Sequence, residues 1–487
     1  VAKTALWIAE SQMMKETEDV VRMSLDFLPL KTYANITEGN ALRLDWETVV
    51  PKAKLNYIMG NPPFVGYSLQ SKEQKEDILS IYVDEKGKPY KTAGKIDYVA
   101  AWYFNASQFM VGTTIRTALV STNSITQGEQ VTGVWKPLYD RFGIHIDFAH
   151  RTFRWDSEAA LKAHVHCVVV GFSSAPNSAE RQIYSDGRMQ TVDNINAYLV
   201  PTENTFIQGR TKPICDVPIL QNGGKPTEGG NLILTAEERD VLIKEEPQAE
   251  QFIRPYMMGK DFIQRKPRYC LWLVGANPAE VNKCRRVKDR IEAVRNYRLA
   301  SPKEATRKKA ETPMLFDEVR ECTSPYVAIP KVSSENRRYI PMEYLSKDII
   351  PGDKLFMMQG GSLYSFGVLT SNVHMAWMRA VCGRLKSDYS YSNTIVYNNF
   401  PWPTPTEEQK TKIGQTAQAI LDARALYPDS SLADLYDEVT MPPELRKAHQ
   451  ENDKAVMRAY GFDIKTTTET SCVAELMRRY QELVERG

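Results

Sequence analysis

The first 200 residues alternate between two hydrophobic periods, and this limits the possible folds more than any other feature of the chain. Ala2 to Phe27 carries Leu6, Ile8, Met13, Val20, Met23 and Phe27 at helical spacing. Ile36 to Leu44 and Leu55 to Met59 read as short strands. Tyr98 to Met110 reads as an aromatic-rich helix with Asp97 as its N-cap. A strand over Arg116 to Ser121 follows, then a helix over Val131 to Phe142, a strand over Ile144 to Ala149 and a long apolar strand over His164 to Phe172. Strands alternating with helices predict an α/β domain with a mostly parallel sheet.

From about residue 201 the texture changes. Pro, Gly and Asn cluster between Pro201 and Asn231, which marks a domain boundary. A second boundary falls at Asn398-Asn399-Phe400-Pro401-Trp402-Pro403-Thr404-Pro405, where prolines end regular structure. Beyond it, helices are expected over Glu407 to Tyr427, Leu445 to Tyr460 and Ser471 to Glu485. The expected domains are therefore 1–200, 201–403 and 404–487. The chain's 62 Lys plus Arg against 60 Asp plus Glu give a net charge of +2. That excludes a uniformly basic chromatin-type protein and an acidic disordered one. The neutrality is a sum, because residues 251–340 hold 20 basic against 10 acidic residues. Residues 281–309 alone hold 11 against 3, including Arg285, Arg286 and Lys288. The 7 cysteines are scattered with no C-x-x-C, so neither a disulfide framework nor a cysteine-built zinc site is expected. A reducing cytoplasm fits, and no apolar run nears the ~20 residues of a membrane span.

One tetrapeptide carries chemistry. Asn61-Pro62-Pro63-Phe64 follows the strand Leu55 to Met59 directly. Prolines fix φ and remove N–H donors, which leaves backbone carbonyls free to accept from a ligand. An Asn carbonyl beside a backbone carbonyl suits a planar exocyclic amine with two protons to donate. The adjacent ring offers a stacking surface for a base. An aromatic amine is a weak nucleophile because its lone pair is delocalised. Two acceptors that draw it toward tetrahedral geometry localise that pair, so no strong base is needed. The bland alternative is a Pro-Pro turn, but α/β sheets bind ligands at the carboxyl ends of their strands.

The stretch resembles motif IV of amino-group DNA methyltransferases. More specifically, the whole chain resembles the MmeI-like family of combined restriction-modification proteins. The resemblance includes Ser121-Thr122-Asn123-Ser124-Ile125-Thr126-Gln127-Gly128-Glu129-Gln130, Phe148-Ala149-His150-Arg151-Thr152-Phe153-Arg154-Trp155 and Pro330-Lys331-Val332-Ser333-Ser334-Glu335. It continues through His374-Met375-Ala376-Trp377-Met378-Arg379, Val396 to Pro403 and Ser431 to Asp437. The resemblance implies a Rossmann-like class I methyltransferase sheet, a mixed α+β target-recognition domain and a small helical C-terminal domain. It implies N6-adenine methylation of double-stranded DNA, with S-adenosylmethionine as donor and no metal. Asn61 and the Pro62 carbonyl would then hold the adenine amine, and Phe64 would stack on the flipped base, whose extrusion costs a few kcal/mol. Phe153 and Trp155 are candidates for the opposite side of that base. Thr37 to Leu42 resembles the family's motif III loop, where Asn40, with Ala41, would meet the donor's adenine.

The family's glycine-rich donor loop, the acidic residue ending its second strand and its nuclease have no counterpart here. They are expected N-terminal in the same polypeptide, because Val1 begins inside a helical pattern without an initiator Met. Glu73-Gln74-Lys75 and Glu408-Gln409-Lys410 match a nuclease E-x-K by letters, yet both lie in helix-like runs. His164 and His166 have metal spacing, but no ligand set accompanies them. For DNA, the basic run reads as a phosphate-tracking surface. Arg384, Lys386 and Asp388 read as base-choosing residues. On an extended segment Lys386 and Asp388 point the same way, Lys386 to a guanine and Asp388 to its paired cytosine. Cytosine N4 or a protein amide as substrate, and a DNA-binding specificity module without activity, stay open.

Overall fold

The computed structural model describes residues 2–23, 36–156, 164–176 and 179–486. It divides into two compact units, Val1–Ile125 with Gly133–Thr191, and Thr126–Thr132 with Val192–Gly487. The first helix, α1, runs over Ala2–Val21. The end of its predicted span, Phe27 included, lies outside the described residues.

A six-stranded sheet in the order β1-β2-β4-β3-β5-β6 organises the first unit. Its strands are β1 (Tyr57–Gly60), β2 (Arg116–Thr122), β3 (His145–Asp156), β4 (His164–Ser173), β5 (Arg181–Ser185) and β6 (Arg188–Val192). The helices around it are α2 (Lys72–Ile81), α3 (Ala100–Met110) and α4 (Gly128–Phe142). The core packs α3 and α4 on β4. Tyr103 stacks on Phe172 at 5.3 Å between centroids and meets Trp135 edge-on at 5.2 Å.

Three expectations fail here. The sheet is mixed rather than mostly parallel: β1–β2 and β3–β5 are parallel, whereas β2–β4 and β3–β4 are antiparallel. The link 157–163 between β3 and β4 is too short for a parallel crossover. Ile36 to Leu44 is not a strand. The Asn40 carbonyl accepts from the N–H groups of Arg43 and Leu44, and its side-chain oxygen accepts from Leu42 N–H, so local bonds outcompete a ladder. Asp97 does not cap α3, whose N-cap is Val99. Its carboxylate instead accepts from Tyr67 N–H and the Ser124 hydroxyl.

The second unit holds two four-stranded sheets. One orders Ile350–Pro351, Ile253–Met257, Arg268–Leu271 and Ile233–Leu234. Its buried core includes Leu234, Phe252, Tyr256, Trp272 and Phe316. Helices α5 (Ala236–Glu245) and α6 (Arg285–Leu299) belong to this part of the unit. The other sheet orders Glu343–Leu345, Tyr326–Pro330, Leu355–Gln359 and Gln221–Asn222. Past the prolines run three long helices, α7 (Glu407–Ala425), α8 (Pro443–Tyr460) and α9 (Glu469–Arg486).

Candidate methyl-transfer and DNA-reading sites

β1 pairs with β2 from Tyr57↔Arg116 to Gly60↔Leu119, so the chain leaves the sheet at its carboxyl edge directly into Asn61. Pro62 is buried and anchors the turn, while Asn61 is exposed. The Asn61 amide makes no hydrogen bond to any described residue, so both its polar atoms are available to a ligand. Phe64 is half-buried and has no aromatic partner among the described residues.

An open groove of about 630 Å³ runs beside this turn, with Ala41, Trp46, Tyr57, Asn61, Pro62 and Phe109 among its lining residues. That volume is in the range of small-molecule sites. Asn61, Pro62, Pro63 and Ala41 therefore come together on the lining of one groove. Asn40 and Phe64 do not line the groove. The Asn40 amide donates to Asp77 at 3.3 Å and its oxygen is taken by Leu42 N–H, so its side chain is committed to holding its own turn. Trp46 fastens that turn from the other side by donating its indole N–H to the Ala41 carbonyl at 2.7 Å.

Phe153 and Trp155 lie on β3, beyond a register shift between His150 and Phe153. Their rings are 6.2 Å apart and Trp155 is exposed. β3 is separated from β1 by β2 and β4, and neither ring belongs to the groove.

The DNA-reading candidates separate into distinct roles. In α6, Arg285 and Lys288 are exposed and have no carboxylate partner among the described residues. Arg286 pairs with Glu245 at 2.5 Å and Arg290 with Glu238 at 3.2 Å, which ties α6 to α5. Arg298 is fully buried and donates to the carbonyls of Pro226, Thr227, Lys309, Thr312 and Leu315. The basic run is thus partly a scaffold.

Lys386 and Asp388 do not share an extended segment. Gly383–Leu385 and Asp388–Ser390 form a hairpin closed by Leu385↔Asp388. Lys386 sits in the two-residue turn with φ 58°, in the left-handed region. This hairpin docks on Val332–Ser333 in a three-stranded sheet. The Arg384 guanidinium stacks on the Tyr389 ring at 3.8 Å and donates to the Ser387 carbonyl at 2.9 Å, so it braces the hairpin. The letters of Glu73 to Lys75 and Glu408 to Lys410 fall on helices α2 and α7. No group of three or more His, Cys, Asp or Glu poised for a metal occurs among the described residues. No helix there is long and apolar enough to cross a membrane.

Family models match nearly the whole chain in three consecutive blocks. These are the MmeI DNA-methyltransferase domain over residues 1–185, the MmeI target recognition domain over 201–404 and the MmeI C-terminal domain over 405–486. The chain belongs to the MmeI family. DNA methyltransferase A of Bacillus subtilis (strain 168) is 38% identical over 489 residues, which is 100% of this chain and 55% of that protein. The type IIL restriction-modification enzyme MmeI, solved in complex with DNA, superposes with a TM-score of 0.85 at 41% identity. That match covers 99% of this chain and 64% of the MmeI chain.

In this MmeI-family chain, three buried groups brace the loops beside the groove, and nothing local in the sequence announces their bonds. Asp77 accepts from Asn40, Arg43 and Tyr98. Burial alone would push its carboxyl up, but those hydrogen bonds and the Arg43 charge hold it below the usual range. The Tyr98 phenol is pushed up to about 12 by burial and by Asp77. Asp97 is the third. Another group without a local signal lies by the hairpin, where burial lowers the pKa of Arg337 against the pull of Asp388 and Asp437. None of these pairs is close in sequence, so no local motif signals them.

Proposed function

We propose that the chain is the catalytic and target-reading part of a cytoplasmic, prokaryotic DNA methyltransferase. In this reading it transfers a methyl group from S-adenosylmethionine to N6 of a flipped adenine in double-stranded DNA. The observation that carries this is Asn61, exposed and unengaged beside buried Pro62 at the carboxyl end of a parallel strand, opening onto the groove. The catalytic segment is 1–200, with a Rossmann-like sheet. Residues 201–403 read the target, and 404–487 form the helical end.

The Asn61 side-chain oxygen and the Pro62 carbonyl accept the two amine protons and localise the nitrogen lone pair. With the donor bound, the N–C bond would form as the methyl group's bond to sulfur broke, and the amine would lose one proton to solvent. Phe64 stacks on the extruded base, which offsets part of the unstacking cost. The groove's apolar lining suits an adenine and a short aliphatic chain, with Ala41 against the donor's adenine. S-adenosylmethionine supplies the activated methyl group.

Target choice rests on Lys386 and Asp388 at the hairpin tip, reading a G·C pair with guanine following the methylated adenine. Exposed Arg285 and Lys288 hold phosphates.

Methylome sequencing of cells making the natural full-length protein, with nucleoside analysis of their DNA, tests this. N6-methyladenine in one sequence context, followed by guanine, is expected. Asn61→Ala should lower methylation about 10²–10³-fold, as loss of one preorganised hydrogen-bonding group typically does. N4-methylcytosine without N6-methyladenine would decide for the cytosine reading. Salt-sensitive DNA binding without donor binding or methylation would decide for a specificity module.

A further inference from the structure

The two loops that flank the groove are fastened to each other through one dipeptide. On the target-base side, Val65 follows Phe64 directly. Its carbonyl accepts from Tyr98 N–H at 2.9 Å, and Tyr67 N–H donates to the Asp97 carboxylate at 3.0 Å. Gln70 donates its amide to the Ile96 carbonyl at 2.9 Å, and the Ser124 hydroxyl holds the other Asp97 oxygen at 2.5 Å. On the donor side, Asp77 takes the Asn40 amide at 3.3 Å and Arg43 Nε at 2.8 Å. The Tyr98 hydroxyl donates to that same Asp77 carboxylate at 2.9 Å. Asp77, Asp97, Tyr98 and Gln70 are all buried.

We infer that Tyr98 is a positioning residue that couples the two loops: its main chain holds the Asn61–Phe64 side and its phenol, through Asp77, holds the Asn40–Arg43 side. This rests on the proposed methyl-transfer reading and deepens it. The centre of this network, Asp77, Asp97, Tyr98 and Gln70, is buried and hydrogen-bonded, which makes it stiff, while Asn40 and Arg43 reach it from the exposed loop. Ordering one loop around a ligand therefore lowers what the other must still lose on binding. Donor and target base then bind cooperatively, by a factor that is the same whichever binds first.

The test uses the natural full-length protein, S-adenosylhomocysteine as the probe and a duplex carrying the methylated site found by sequencing. The coupling factor is the ratio of DNA dissociation constants without and with the probe. In the parent, a factor of about 10 is expected, within the usual range for linked sites. Tyr98→Phe, which deletes only the hydroxyl, should bring the factor to within twofold of one. The affinity for each ligand alone should stay within about threefold. Asp77→Asn should do the same, and the double variant should lose no more than either single. A full coupling factor in Tyr98→Phe overturns the inference, as does a parent with no coupling. So does a Tyr98→Phe that weakens both ligands equally and keeps the factor, since that marks a purely structural tyrosine. A parent that binds DNA but no S-adenosylhomocysteine overturns the methyl-transfer reading itself, an outcome separate from these.

Discussion

Arg298 and Lys288 stand on one helix and are indistinguishable as charges in the sequence. Their surroundings give them opposite roles. The Arg298 guanidinium, itself fully buried, gathers carbonyls from the loops at 226–227 and 309–315. Arg298→Ala should cost about 3 kcal/mol or more of unfolding free energy, because five loop carbonyls lose their shared donor at once and a large buried side chain is deleted. Urea unfolding checks this. Lys288→Ala should leave the urea midpoint unchanged. It should also flatten the plot of log DNA affinity against log salt by about one unit, the signature of one lost phosphate contact. Counting charge located the basic region, but burial and carbonyl geometry decide which cations face solvent. Both depend on loops far away in the chain.

Among the elements, the hairpin at residues 383–390 and the strand β4 are the most demanding of local geometry. Lys386 adopts a left-handed backbone, which costs an L-residue roughly 1–2 kcal/mol. Lys386→Gly should therefore leave stability within about 1 kcal/mol of the parent, since relieved strain offsets added chain entropy. The same change should relax the choice of base beside the methylated adenine, as read by methylome sequencing. In β4, a Cβ added at Gly171 would come within 2.1 Å of the Phe148 ring on β3. Gly171→Ala should destabilise by about 1–3 kcal/mol, measured by thermal unfolding, because that ring must move within a packed sheet. Elements with strong period or clear stops were legible: β2, α3, α4 and the C-terminal helices lie close to their predicted spans. The Asn61–Pro63 turn was legible too, because its chemistry is local. What escaped was long-range. Strand direction depends on the short β3–β4 link, and the Ile36–Leu44 segment yields to Asn40's own hydrogen bonds. The pattern Lys386-Ser387-Asp388 carries no glycine to announce a turn.

Across the whole molecule, buried ionisable groups set how stability follows pH. His374 is buried against Phe400 and bonded to the Tyr391 hydroxyl, and burial lowers its pKa to about 3. His449, stacked on Tyr339, is also pushed down by burial and then by the Arg424 charge. Both are neutral in the fold but protonate near 6.5 when unfolded. Their contribution is therefore present above that pH and lost as pH falls. Asp453 has the opposite sense: burial raises it to about 6, so its contribution is complete below the unfolded carboxyl value and lost as pH rises through 6. From pH 7 to 5, His374 costs about 2 kcal/mol, His449 adds a loss of the same sign, and Asp453 returns about 1 kcal/mol. A net loss of stability is expected at pH 5, read as a lower urea midpoint there than at pH 7. His374→Gln should remove about 2 kcal/mol of it.

The outer edge of β1 has a consequence for handling the protein. Among the described residues that strand pairs only with β2, and it presents Tyr57 and Met59 at 65% and 80% exposure. An uncovered edge with large apolar side chains is a template for strand-to-strand association between molecules. These 487 residues made by themselves should therefore form larger species as concentration rises. A charge placed at Met59 should keep them apart in solution.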